Sequence, residues 1–168
     1  MRYLIVVDMQ VDFINGALGS KDAEAIVPRV LDTVRGFDGK VIFTRDTHGE
    51  DYLSTREGRH LPVKHCIRGT RGHEICPELL PYAKTVIDKE TFGSVDLAET
   101  IRSYGEDIEE IVLLGLCTDI CVISNAMLLK AEFPETEITV ISSASAGVTP
   151  ESHETALAAM RAVQINVI

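Results

Sequence analysis

The sequence predicts an α/β protein in which helices cover both faces of a parallel sheet of about six strands. Short apolar runs alternate with segments of helical periodicity along the chain. Strands separated by helices form parallel sheets covered on both faces, because a parallel connection has to cross over the sheet. A length of 168 residues and an apolar fraction of 45% suit one domain, which we predict over 1–168.

The period of the apolar residues predicts each element in chain order. An apolar run at 4–7 predicts a buried first strand, and Ala25, Ile26, Val30 and Val34 at helical spacing predict the first helix. The same criteria predict strands over 2–8, 40–45, 85–88, 110–115, 138–142 and 164–168, and helices over 22–37, 95–104, 121–133 and 151–163.

The stretch 46–84 interrupts this alternation. It is rich in Gly, His, Arg and Pro, has weak periodicity, and is far longer than an ordinary connection. Long insertions in compact domains usually carry function, so we expect binding residues here.

Composition restricts the partners. A formal net charge of −10 disfavours binding to nucleic acid and to anionic membrane surfaces. No apolar run approaches the roughly 18 residues that span a bilayer, and the N-terminal run is too short for a signal peptide. We therefore expect a cytoplasmic protein acting on a small molecule, and leave a homo-oligomer open.

The four cysteines lack the spacing of a zinc knuckle or thioredoxin motif.

Reactive side chains follow four predicted strands. Asp8 ends the first strand, Asp46 the second and Lys89 the third, while the fourth leads through Cys117 to Cys121. Ligands of open parallel sheets bind outside the carboxyl ends of the strands. These residues together predict a catalytic cluster rather than a purely structural sheet edge.

Cys121 is the predicted nucleophile. It would lie in the first turn of a helix capped by Thr118 or Asp119, where the helix dipole lowers a thiol pKa. Cys117 is the rival thiol, without that dipole. Asp8 can accept the thiol proton if Lys89, expected on the neighbouring strand, supplies a cation nearby. The alternative is a structural ion pair between the two.

Histidines and carboxylates in the insertion predict a metal site. Asp46 and His48 lie two residues apart at a strand end, which places their side chains on one side of the chain. His65 would be the third ligand, and Glu57 or His60 the fourth. Such a nitrogen/oxygen site suits a divalent metal, with zinc first and iron or manganese as alternatives.

Four segments resemble, in order and spacing, those of nicotinamidases and related isochorismatase-like cysteine hydrolases. They are 6–13 (VVDMQVDF), 44–48 (TRDTH), 65–70 (HCIRGT) and 115–122 (GLCTDICV). The resemblance runs from residue 4 to about residue 150. It implies a Rossmann-like α/β/α sandwich and a catalytic triad of Asp8, Lys89 and Cys121, and the Asp-x-His pair implies the amidase branch.

The resemblance also implies a non-proline cis peptide at Leu116–Cys117. That bond would aim the backbone N–H groups of Cys117 and Cys121 at one point, forming an oxyanion hole. Nicotinamidases commonly carry a Trp where this chain has Leu61, and the chain has no Trp.

The expected substrate is a small planar carboxamide, with nicotinamide first. Apolar residues near the strand ends are expected to form its pocket: Phe13, Leu61, Phe92 and Ile120. Stacking on the ring would then fall to Phe13 or Phe92. Two alternatives stay open. One is another isochorismatase-like hydrolase, such as one acting on ureido or carbamoyl amides, and the other is a non-catalytic binding protein of the same fold.

Overall fold

A computed structural model describes residues 1–168 and contains a six-stranded sheet in which every pair is parallel. Its strands are β1 (Arg2–Val7), β2 (Lys40–Asp46), β3 (Val86–Lys89), β4 (Glu110–Leu116), β5 (Glu137–Ala146) and β6 (Asn166–Val167). The spatial order is β3-β2-β1-β4-β5-β6. The chain reverses its direction of travel across the sheet between β1 and β4, and a crevice forms at that point in open α/β sheets. The predicted Rossmann-like fold is confirmed.

Helices cover both faces of this sheet. They are α1 (Val11–Ile14), α2 (Lys21–Gly36), α3 (Arg56–His60), α4 (Val95–Ser103), α5 (Ile123–Glu132) and α6 (Pro150–Ala162). One core cluster joins the sheet to α4, α5 and α6, and a second joins it to α1 and α2. Ser20 begins α2 by accepting a hydrogen bond from the Ala23 amide, which satisfies one of the free N–H groups of the first turn.

The central strand β1 explains why both faces are covered. Tyr3, Ile5 and Val7 pack into the α4–α6 cluster, whereas Leu4 and Val6 pack into the α2 cluster. Successive side chains point to opposite faces, so an unbroken apolar run buries both sides of the strand. All five side chains are fully buried.

The insertion predicted over 46–84 contains only short helical pieces between β2 and β3. These are α3 and single 3₁₀ turns at Tyr52–Ser54, Arg71–His73 and Leu80–Tyr82. Two side chains from the segment after β1 hold it in place. Asp12 accepts a hydrogen bond from the Cys66 amide at 2.8 Å, and Gln10 Nε2 donates to the His73 carbonyl at 2.9 Å.

Two predicted boundaries were wrong. The predicted helix over 121–133 begins as an α-helix only at Ile123, because a π-helical turn over Thr118–Val122 precedes it. The fifth strand continues to Ala146 instead of ending at residue 142. Its pairing with β4 shifts register between Leu113 and Gly115, an irregularity that apolar periodicity does not reveal.

None of the helices combines the length and the apolar character that crossing a bilayer would require.

Candidate active site and metal centre

The carboxyl ends of four adjacent strands bring the predicted side chains to one place. Asp46 ends β2, between the strand that carries Lys89 and the strand that Asp8 follows. The expectation that Lys89 lies on the strand next to Asp8 was therefore wrong. Two strand spacings, about 10 Å, separate β3 from β1, and the long lysine side chain spans that gap.

Lys89 is the centre of the cluster. Its ammonium nitrogen lies 2.7 Å from Asp8 Oδ2, 3.2 Å from Asp46 Oδ1 and 3.4 Å from Cys121 Sγ. It also donates a hydrogen bond to the Thr91 carbonyl at 3.1 Å. Lys89 is buried, so its charge is compensated by protein groups rather than by water. One ammonium thus links the thiol to two carboxylates.

Asp8 is held in a sharp turn directly after β1. Its φ of 48° lies in the left-handed region, which non-glycine residues seldom adopt and which often occurs at functional sites. Thr44 Oγ1 donates to Asp8 Oδ1 at 2.7 Å. The other oxygen, Oδ2, is buried and has no hydrogen-bond donor apart from its ion pair with Lys89. Thr44 therefore holds one oxygen of Asp8, and the other is paired only with Lys89.

Cys121 lies inside the π-helical turn, so the predicted helix cap was wrong. Cys117 occupies the cap position, and no side chain caps the turn. Thr118 instead pairs with His153 Nδ1 at 2.8 Å, and Asp119 accepts a hydrogen bond from the Val148 amide at 3.0 Å. Both contacts join the turn to the β5–α6 region. These contacts fix the position of the turn. They do not place the Cys121 thiol at a free helix N-terminus.

The peptide bond Leu116–Cys117 is cis. It follows Gly115, whose φ of 118° and approach to β1 exclude a side chain, because a Cβ atom there would lie 2.2 Å from the Val7 carbonyl oxygen. After the cis bond, the Cys117 carbonyl accepts hydrogen bonds from the amides of Ile120 and Val122, at 3.1 and 3.0 Å.

Burial dominates the electrostatics of the cluster. It raises the pKa of Asp8, and the neighbouring Lys89 offsets this only in part. Burial and the Asp8 carboxylate also raise the pKa of the Cys121 thiol, contrary to the dipole-lowered pKa expected from sequence. Burial opposes the charge on Lys89 as well, but Asp8, Cys121 and Asp46 raise its pKa overall. Burial therefore favours the neutral thiol of Cys121, whereas the groups around Lys89 favour its charged form.

A second cluster, the metal cluster, consists of Asp46, His48, Glu57 and His65. One ligand atom from each residue lies within 4.8 Å of the other three. His48 Nε2 lies 2.8 Å from Asp46 Oδ2 and 3.6 Å from Glu57 Oε1, and His65 Nε2 lies 3.6 and 3.8 Å from the same two oxygens. Glu57 comes from α3, and its fellow candidate His60 hydrogen-bonds the Arg56 carbonyl instead.

These residues fit a divalent cation. Ligand atoms held about 2 Å from a common ion are separated by somewhat more than 3 Å, which resembles the spacings of the cluster. His65 Nδ1 lies 2.8 Å from the Val63 carbonyl, a contact that leaves Nε2 as the acceptor. His48 Nε2 is buried and faces Asp46 Oδ2 and Glu57 Oε1, which are candidate ligands of the same ion.

The charge distribution favours the same conclusion. Burial raises the pKa of Asp46, but hydrogen bonds from His48 and His65 outweigh it and hold the pKa below its ordinary value. Asp46 also contacts Lys89 through its other oxygen. One carboxylate thus connects the metal cluster to the triad.

A cavity of about 1220 Å³ opens onto both clusters. All four residues predicted to form the substrate pocket line it, and so do both candidate thiols: Phe13, Leu61, Phe92, Ile120, Cys117 and Cys121. Phe13 also packs against the ring of His65, with 5.5 Å between ring centroids. The cavity therefore has an apolar wall, a thiol and a set of metal-binding groups in contact with one space.

Sequence reasoning missed other residues at this site. Val148, in the β5–α6 loop, lines the cavity, and no local pattern marks it. Thr44, which hydrogen-bonds Asp8, had a detectable signal, because it lies two residues before Asp46 on the same strand and so on the same side.

The fold and the site define a parallel α/β protein with a buried thiol–ammonium–carboxylate cluster beside a metal-binding cluster. Residues 2–168 match the family model described as the isochorismatase domain. The chain belongs to the isochorismatase family and is a hydrolase of that family.

Relatives and solved structures give the same result. The chain is 30% identical to an uncharacterised isochorismatase family protein, PncA of Bacillus subtilis, over 93% of this chain and 92% of that one. It is 27% identical to the nicotinamidase of Schizosaccharomyces pombe, over 98% and 91%. A pyrazinamidase of Pyrococcus horikoshii, solved in complex with zinc, superposes with a TM-score of 0.84 at 31% identity, over 99% and 98% of the two chains.

Proposed function

We propose that this protein is a cysteine-dependent amidohydrolase that converts nicotinamide to nicotinate and ammonia, with 1–168 acting as one hydrolase domain. The observation that carries the proposal is the position of the Lys89 ammonium between Asp8 Oδ2, Asp46 Oδ1 and Cys121 Sγ. Ligand binding alone does not require an acid, a cation and a thiol in contact. The relatives named nicotinamidase support the choice of reaction.

In the first step Asp8 accepts the proton of the Cys121 thiol through Oδ2, the oxygen that Thr44 does not hold. Burial raises the proton affinity of this carboxylate, and the adjacent Lys89 stabilises the thiolate that forms. The thiolate then attacks the carboxamide carbon. Backbone N–H groups of Cys117 and Cys121 are the proposed donors to the oxyanion.

In the second step the protonated Asp8 gives its proton to the departing ammonia. A water molecule then attacks the thioester carbon, and Asp8 accepts a proton from that water. Nicotinate leaves, and Cys121 takes back its proton. Lys89 keeps its charge throughout, because the carboxylates around it raise its pKa.

Asp46, His48, Glu57 and His65 are the proposed ligands of a divalent metal, for which we propose zinc, with iron and manganese as alternatives. When bound, such an ion supplies a Lewis acid that can hold the ring nitrogen of the substrate and so orient its carboxamide. A zinc-bound structural relative supports the choice.

The charge of the cavity lining supports an uncharged substrate. Four carboxylates line the cavity, and Arg56 is the one lysine or arginine side chain among the lining residues: Asp46, Asp51, Glu57 and Glu90 against Arg56. The proposed metal would compensate Asp46 and Glu57, and Asp51 and Glu90 still outnumber Arg56, so the lining disfavours a substrate that carries several carboxylates. Phe13 and Phe92 offer aromatic faces for its ring.

One alternative keeps this fold and changes the substrate to a ureido or carbamoyl amide. Its support is the open cavity of about 1220 Å³. Leu61 forms part of the cavity wall, and that part therefore has no aromatic ring. The second alternative is a non-catalytic binding protein. Binding alone would not require the contact between Lys89 and Cys121.

Ammonia release from nicotinamide, pyrazinamide, acetamide and a ureido compound tests the proposal. Nicotinamide should have the highest specificity constant, and Cys121→Ala should lower it by at least about 1000-fold. If the ureido compound exceeds nicotinamide by more than about tenfold, roughly 1.4 kcal/mol in transition-state binding, the nicotinamidase assignment is wrong and the amidase assignment stands. Full activity in Cys121→Ala would refute the cysteine mechanism.

Metal analysis of the purified protein tests the metal cluster separately. Asp46→Ala and His48→Ala should each lose most of the bound metal, since each removes a ligand from a four-residue site. His60→Ala should keep it, because the His60 ring is bonded to the Arg56 carbonyl. Unchanged metal in the first two variants would remove the site.

A further inference from the structure

The buried side chain of Asn125, on α5, joins two parts of the site that are distant in sequence. Its amide nitrogen donates to the Cys121 carbonyl at 2.8 Å and to the Phe92 carbonyl at 3.1 Å. Its amide oxygen accepts from the Ser94 amide at 2.9 Å. The residue is fully buried, and every hydrogen-bonding atom of its amide has a partner.

The loop of residues 90–94, between β3 and α4, is therefore fixed at both ends. At one end Lys89 donates to the Thr91 carbonyl, and at the other Asn125 bonds Phe92 and Ser94. The middle is in close contact with α5, because a Cβ atom at Gly93 would lie 3.2 Å from the Ser124 carbonyl oxygen. The loop has little room to move relative to α5.

Asn125 also bonds the backbone of Cys121, the proposed nucleophile. Cys121 lies one helical turn before it, so a single side chain contacts both Cys121 and the loop that carries Phe92. Leaving a buried amide without a hydrogen-bond partner is unfavourable, so these three bonds stabilise one relative position of the two segments.

We infer that Asn125 is a positioning residue. It holds the loop of residues 90–94, which carries Phe92 and accepts a hydrogen bond from Lys89, at a fixed distance from Cys121. The inference rests on the proposed function only in taking Cys121 as the nucleophile and Phe92 as part of the substrate wall. Asn125 itself does not line the cavity, so it acts through these residues rather than on the substrate.

Two substitutions separate the bonds. Asn125→Asp keeps an acceptor for the Ser94 amide and loses both donated bonds. Asn125→Ser can still donate to the Cys121 carbonyl four residues earlier, as Ser124 does to Ile120 at 2.6 Å, but it cannot reach the loop. Asn15→Asp makes the same charge change at the exposed position directly after α1 and serves as the control.

Kinetics on nicotinamide and acetamide, with metal content, form the first measurement. Asn125→Asp should lower kcat by about tenfold to a hundredfold on both amides, because misplacement of Cys121 affects any substrate. Asn125→Ser should raise KM several-fold for nicotinamide but not for acetamide, which is too small to rely on Phe92. Metal content should match that of Asn15→Asp, since Asn125 contacts no residue of the metal cluster.

The rate at which iodoacetamide alkylates Cys121, located by peptide mass spectrometry, gives a second measurement that needs no substrate. It should change by more than about threefold in Asn125→Asp and stay at the parent rate in Asn15→Asp.

If Asn125→Asp does not fold, the KM difference in Asn125→Ser decides the question. Parent-like kinetics and alkylation in the variants that fold would overturn the inference. A parent protein inactive on nicotinamide would refute the proposed function alone, because alkylation would still report the position of Cys121.

Discussion

At the scale of single residues, the site is a set of buried charges that satisfy one another. Asp8 divides its two oxygens between different tasks, since Thr44 donates to Oδ1 and Lys89 lies against Oδ2. Lys89 in turn compensates two carboxylates with one charge. Each group therefore depends on the others for its protonation state, and removing one partner leaves a buried charge uncompensated.

Thr44→Val tests the support of the proposed base. The change removes a hydrogen bond to a carboxylate at almost constant volume, a loss worth about 1.5–3 kcal/mol. We expect the specificity constant for nicotinamide to fall about tenfold to a hundredfold, measured by ammonia release. Thr44→Ser keeps the hydroxyl and should stay within about threefold of the parent. Equal losses in both variants would show that the methyl packing, not the hydrogen bond, matters.

The pH profile tests the state of Asp8. Burial raises the pKa of this group, and it must be ionised to accept the thiol proton, so activity should disappear as pH falls through that raised pKa. The acidic limb of kcat/KM should therefore lie above about 4, where an ordinary aspartate titrates. Metal content measured at each pH separates this effect from loss of the ion. A limb at or below about 4 with metal retained contradicts the assignment of Asp8 as the base.

At the scale of elements, the site depends on how the insertion after β2 is attached to the sheet. Asp12, in α1, accepts a hydrogen bond from the Cys66 amide. Cys66 has a φ of 47° and directly follows the proposed ligand His65, so this bond holds an unfavourable backbone turn beside the metal cluster.

Asp12→Ala should loosen that attachment. Groups that orient metal ligands typically contribute about tenfold to a hundredfold in affinity, and we expect a loss in this range. Competition with a chelator of known affinity measures it. Asp32→Ala, an exposed position on α2, is the matched control and should bind metal as the parent does. Parent-like affinity in Asp12→Ala would show that the insertion holds its shape without this bond.

Sequence patterns predicted the strands and their ends well, and this was enough to bring Asp8, Asp46, Lys89 and Cys121 to one edge. The order of the strands was not predictable from periodicity, so the reach of Lys89 across β2 was missed. The π-helical turn was missed because a helical period does not reveal which hydrogen bonds close its first turn. Glu57 was predicted as a candidate metal ligand. The five-residue helix that carries it was not predicted, because it is too short to show a helical period.

At the scale of the whole molecule, the metal cluster joins the insertion to the sheet. Asp46 belongs to β2, His48 follows it, and Glu57 and His65 come from the insertion. A metal held by all four would add a link between these two parts, which also meet through hydrogen bonds and through Ile75, Cys76 and Leu79 in the core. Metal binding should therefore contribute to the free energy of unfolding.

Removing the metal should lower the thermal midpoint. Free metal at about 100 times its dissociation constant stabilises a folded protein by about 2.7 kcal/mol. For a chain of this length, that corresponds to a shift of about 5–10 °C, measured by circular dichroism before and after chelation. His48→Ala lacks one ligand and should show little response to added metal. An equal shift in His48→Ala would place the stabilising ion elsewhere.

Trapping the thioester shows directly whether Cys121 attacks the amide carbon. Parent enzyme mixed with excess nicotinamide and quenched in acid should yield a Cys121 peptide that carries a nicotinoyl group, detected by mass spectrometry. Cys117→Ala should give the same adduct, because Cys117 contributes only its backbone to the proposed mechanism. A nicotinoyl group on Cys117, or turnover of nicotinamide by Cys121→Ala at the parent rate, would contradict the account.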